Sequence, residues 1–94
     1  MSVYRITEFT SPDMAKAVES SGTMRGDVAA AGAESIDILS LGDGAGMVVA
    51  KYATQADMEA ATDISKAVFG KMVAAGIING ASISGKSGDV VFSF

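Results

Sequence analysis

Gly42-Asp43-Gly44-Ala45-Gly46-Met47-Val48-Val49-Ala50-Lys51-Tyr52-Ala53 is the stretch that decides the fold. A glycine-rich turn delivers the chain into its most apolar segment, Met47–Ala53, where Lys51 is the only charge. A short apolar run bounded by a turn predicts a strand. A strand with one wet face alternates apolar and polar residues. This one does not, so both of its faces are expected to be covered. The chain's own helices supply one cover. A second copy of the chain is the simplest source of the other, because too few residues remain for another layer.

Outward from this strand, Glu34–Leu41 precedes the turn as a second strand. Ile36 and Ile38 share one of its faces, and Asp37, Leu39 and Leu41 share the other. The Gly42–Gly46 turn makes the two strands a hairpin. Its Gly-x-Gly-x-Gly spelling does not make it a phosphate loop. Such a loop leads from a strand into a helix N-terminus, and this one leads into another strand. Further back, Val3–Phe9 is a strand rich in β-branched and aromatic residues. Ser11-Pro12-Asp13 starts a helix: serine caps, proline suits the first turn, and aspartate favours the positive end of the dipole. Met14, Ala17, Val18, Met24, Val28 and Ala31 follow helical spacing. Gly22 and Gly26 predict either a break or a close approach to the sheet, and Gly32 caps the end.

Beyond the central strand, Thr54 caps a second helix, with Asp57 three residues on. Met58, Ala61, Ser65, Val68, Phe69, Met72 and Val73 form its apolar stripe, and Gly76 ends it. Ile77–Gly80 connects to two short strands, Ala81–Ser84 and Val90–Phe94, around a turn at Gly85-Lys86-Ser87-Gly88. The expected architecture is one α+β domain over residues 1–94. Its order is ferredoxin-like, βαββαβ with an extra C-terminal strand, an antiparallel sheet covered by two helices.

Composition removes whole classes of chemistry. Without cysteine there is no disulfide, thiolate nucleophile or iron–sulfur ligand. Without histidine the commonest general base and transition-metal ligand are gone. The net charge of −4, with no basic block, argues against nucleic acid. No apolar run approaches the roughly 20 residues that span a bilayer, so no membrane is expected. The first residues lack a secretory signal pattern, and a cytoplasmic location follows. Asp57, Glu59 and Asp63 read as a solvated helix face, not a metal site, and no cofactor is expected.

The remaining chemistry lies on the strands. Tyr52 ends the central strand, where its hydroxyl could face a cavity as a proton relay; the alternative is a core tyrosine with its hydroxyl at the edge. Arg5 is the candidate anion anchor. Lys51, in odd position like Arg5, and Asp37 could share its face, the register being open. The alternative for these three, with Glu8, is ion pairing within a covered sheet. Tyr4 and Met47 complete the candidate ligand set, against ordinary core filling for the methionines.

The length, the glycine hairpin, and Lys51-Tyr52-Ala53-Thr54-Gln55-Ala56-Asp57, a strand ending in tyrosine before a capped helix, resemble the dimeric α/β-barrel superfamily. The nearest group is the antibiotic-biosynthesis-monooxygenase-like one. The resemblance implies a homodimer whose sheets pack face to face, with helices outside and a small cavity in each subunit. The departures limit it. Haem-degrading members use a histidine on the second helix and a tryptophan, and both are missing. Cofactor-free monooxygenases of the group use asparagine, tryptophan, tyrosine and arginine; this chain offers only Tyr4, Tyr52, Arg5, Arg25 and Asn79. It also lacks the paired cysteines of metal chaperones and the stacking aromatics of RNA-recognition domains. The expected function is binding of a small, mostly apolar organic molecule, with cofactor-independent monooxygenase-like chemistry as its active form. The alternative is a non-catalytic dimerisation or interaction module.

Overall fold

The computed structural model describes residues 2–94. Four antiparallel strands form one sheet in the order β2-β3-β1-β4, with β1 at Val3–Thr10, β2 at Ser35–Gly42, β3 at Ala45–Tyr52 and β4 at Ser84–Asp89. The two apolar strands, β1 and β3, are central and pair over their whole length, from Val3 opposite Tyr52 to Thr10 opposite Ala45. This is the ferredoxin-like α+β arrangement.

The β2–β3 turn is tighter than its glycine content requires. Only Asp43 and Gly44 lie outside the strands, with φ of 55° and 80°. Positive φ at both central residues of a two-residue loop is the type I′ geometry, which suits the twist of paired strands. The Gly44 carbonyl accepts from the Ser11 N–H at 2.7 Å, tying the turn to the end of β1.

Both helical segments are broken. The first comprises α1 (Met14–Thr23) and α2 (Arg25–Ala30), interrupted at Met24. The second comprises α3 (Gln55–Ala60) and α4 (Thr62–Ala74), interrupted at Ala61. Asp13 caps α1 by accepting from the Lys16 N–H. Ser11, the expected cap, instead accepts from the Asp13 N–H and donates to the Ile77 carbonyl. Thr54 caps α3 by accepting from the Asp57 N–H at 3.1 Å. Gly32 and Gly76 end their helices in the left-handed conformation, as expected.

The expected C-terminal hairpin is corrected. Gly85-Lys86-Ser87-Gly88 runs through the middle of β4, and neither glycine has positive φ. Residues Val3 to Glu8 of β1 pair with β4 one by one. Ladder hydrogen bonds override the turn preference of the side chains. Ala81 and Ser82 lie in a 3-10 turn, Gly80–Ser82. The extra strand over Val90–Phe94 is not formed. The Val90 N–H donates to the Ser2 carbonyl, and beyond it Val91, Phe92 and Phe94 are exposed.

The helix-facing side of the sheet carries a divided core. Val3, Ala31, Ala50, Tyr52, Met58 and Ala61 pack together at one end. Phe9, Ala17, Met72 and Ile78 pack at the other. Between Val3 and Phe9, the same face of β1 presents Arg5 and Thr7.

Candidate functional site

The gap between the two clusters is a cavity of about 540 Å³. Arg5, Thr7, Val48 and Ala50 are among its sheet-side lining, and α1, α2 and α4 contribute Gly22, Val28 and Phe69. It exists because so much of its wall is small: Ala17, Ser21, Gly22, Ala29, Ala31, Ala33, Ala50 and Ser65 all border it. The cavity is partly open to the surface, so water or a ligand can enter it.

Arg5 lies on the cavity floor. Its Nη2 donates to the Thr62 hydroxyl at 2.8 Å and to the Met58 carbonyl at 3.2 Å. Both partners flank the α3–α4 interruption, so one guanidinium nitrogen pins that junction to the sheet. Tyr52 is only 1% exposed and also borders the cavity. Its side chain makes no hydrogen bond among the described residues, yet no fully enclosed polar side-chain atom there lacks a partner. The Tyr52 hydroxyl thus keeps at most a sliver of accessible surface, on a side chain that borders the cavity. Thr7, buried and likewise unbonded through its side chain, is a third polar group of the cavity.

The register separates the other candidates from these two. Lys51 pairs with Tyr4, not with Arg5, and Met47 pairs with Glu8. Tyr4, Met47 and Lys51 therefore lie on the opposite face of the sheet from Arg5 and Tyr52. Asp37 borders the cavity, but its register position opposite Val49 belongs to that other face too. The expectation that Arg5, Lys51 and Asp37 share a face is thus corrected: an antiparallel register opposite an even position places odd residues of the two strands on different faces. Lys51 instead reaches Glu34 at 3.9 Å in a partly exposed pair, worth under about 1 kcal/mol. Thr7 and the helix-side alanines are cavity residues that sequence reasoning missed. Their signal was a cluster of small residues at core spacing.

Among the described residues no group of acidic, histidine or cysteine side chains is arranged to hold a metal. No described helix is long and apolar enough to cross a membrane.

No protein-family model matches the chain, and no curated protein matches it. Solved structures do. A protein of unknown function from Nitrosomonas europaea, NE2512, superposes with a TM-score of 0.77 at 12% identity, covering 99% of this chain and 92% of that one. A variant of SnoaB, a cofactor-independent oxygenase from Streptomyces nogalater, gives 0.73 at 10% identity, covering 98% and 95%. Rv0793 from Mycobacterium tuberculosis gives 0.64 at 12% identity, covering 99% and 98%. At such identities the likeness is one of fold, and the chain is a ferredoxin-like α+β domain of the kind that SnoaB also adopts.

Proposed function

We propose that this protein binds a small, mostly apolar organic molecule in the cavity between its two core clusters and acts on it without a cofactor. The divided core carries the reading. Alanine, glycine and serine side chains leave room among the larger apolar residues of its wall, and Tyr52 and Arg5 border that room. Tyr52 is the proton relay and Arg5 holds an acidic oxygen of the substrate. With no histidine or cysteine in the chain, a tyrosine hydroxyl is the group best placed to move a proton. A substrate acidic enough to lose a proton and then react directly with dioxygen fits this inventory. SnoaB, a cofactor-independent oxygenase of the same fold, supports the choice. Incubation with acidic phenols and enols under oxygen, followed by mass spectrometry, tests it. Oxygenated product from the wild type and not from Tyr52→Phe is expected; no product from either refutes the catalytic half of the reading.

The same reading makes the protein a homodimer through the free sheet face. Ile6, Met47 and Val49 belong to neither packed cluster. Leu39, opposite Met47, is 43% exposed. Tyr4, Asp37 and Lys51 serve that face, as contacts between subunits.

A non-catalytic interaction module is the second reading. The exposed apolar Val91, Phe92 and Phe94 favour it. A dimer whose cavity takes no organic probe would select it.

A further inference from the structure

The chain has two arginines, Arg5 and Arg25, and both line the cavity. Neither has a carboxylate within ion-pair distance among the described residues, where the two salt bridges are made by Lys51 and Lys71. In a chain of net charge −4, both arginines border this large apolar space, while lysines serve the surface pairs. Arg5 also keeps donors in reserve. Its Nη2 makes both of its hydrogen bonds, so Nη1 and Nε, which a guanidinium offers as a flat fork, are uncommitted among the described residues. Pinning the α3–α4 junction accounts for Nη2. It does not account for the rest of the group, nor for Arg25.

We infer that the ligand is an organic anion: an apolar body over Val48, Phe69 and Met72, with a carboxylate or another delocalised oxyanion turned towards Arg5. The inference rests on the cavity being the binding site, as proposed above. Arg5 is half-buried on the floor between apolar clusters, where a charge–charge attraction is screened less than in water. Arg25, exposed as the first residue of α2, stands at the rim and draws the anion in. Among the described residues Asp37 is the only acidic one bordering the cavity, and its register position belongs to the other face of the sheet.

A matched pair of fluorescent probes tests this: 8-anilinonaphthalene-1-sulfonate, an apolar anion, and N-phenyl-1-naphthylamine, its neutral counterpart. Both are titrated into the wild type, Arg5→Gln, Arg5→Lys, Arg25→Gln and the cavity-filling Ser65→Trp. The expected result is an anion preference in the wild type on the order of tenfold, lost in Arg5→Gln, partly kept in Arg5→Lys, and weakened by salt. Arg5→Gln should weaken the anionic probe far more than the neutral one, and Ser65→Trp should block both probes. Equal binding of the two probes, both blocked by Ser65→Trp, overturns the anion assignment and leaves the cavity reading standing. Binding of neither probe, or binding indifferent to Ser65→Trp, overturns both. If Arg5→Gln loses the neutral probe as well, its cavity has collapsed and Arg25→Gln decides: a reduced anion preference supports the inference, and an unchanged one overturns it.

Discussion

Phe9 and Gly46 face each other across the β1–β3 ladder, and the ring of Phe9 fills the space that a side chain at position 46 would need. A Cβ there would collide with the ring and would stand 3.0 Å from the Met14 methyl. Gly46→Ala must push Phe9 out of the cluster it shares with Ala17, Met72 and Ile78. A loss of about 1–3 kcal/mol is expected, the range for overpacked cores, read as a lower urea midpoint with unchanged slope.

Gly70 gives the opposite sign. It lies inside α4, and an alanine methyl at this position would have no neighbour within 4 Å beyond its own helix turn. Gly70→Ala should add roughly 0.5–1 kcal/mol, because alanine loses less backbone freedom in a helix. A lower melting temperature for this variant would contradict the open surroundings of Gly70.

Tyr52→Phe separates a structural tyrosine from a functional one. The ring packs among Val3, Ala50 and Met58, while the hydroxyl has no partner among the described residues. Removing that oxygen should change stability by under about 0.5 kcal/mol, since no protein hydrogen bond is lost. A larger loss in urea unfolding would mean that the hydroxyl is hydrogen-bonded within the fold.

The cap at Thr54 has an ordinary job. Thr54→Ala removes the acceptor for the Asp57 N–H at the start of α3. The expected cost is about 1 kcal/mol, visible as an earlier thermal transition.

The free sheet face carries the oligomer prediction. Val49→Glu places a charge in the middle of β3 on the side away from the cavity. Light scattering should give twice the chain mass for the wild type and the chain mass for Val49→Glu, with unchanged circular dichroism. A wild-type monomer would remove the dimer from the proposed function and leave the cavity untouched.

The central strands were legible because β1 and β3 concentrate the apolar residues that a doubly flanked strand buries. The hairpin was legible from its glycines, but not its tightness: only Asp43 and Gly44 lie outside the strands, where the sequence suggested a turn over Gly42–Gly46. The final strand was not legible. Ser84–Asp89 reads Ser-Gly-Lys-Ser-Gly-Asp, with no apolar residue to carry a pattern. It is an edge strand held by backbone bonds to β1, which a side-chain reading cannot see. The arrangement of the candidate site was half legible. Tyr52 and Arg5 stood out as polar groups on apolar strands. That they share a face while Lys51 does not depends on register, which only the paired backbone fixes.

The strand order also sets a timetable. The strand made first, β1, finds neither neighbour next to it in the chain. Val3 waits for Tyr52 on one side and for Asp89 on the other. The β2–β3 hairpin closes locally and early, whereas the middle of the sheet is assembled across long loops. A growing chain must therefore carry Val3, Ile6 and Phe9 unpaired until β3 has been made, and the cavity, which β1 and β3 both line, exists only once those two strands have met.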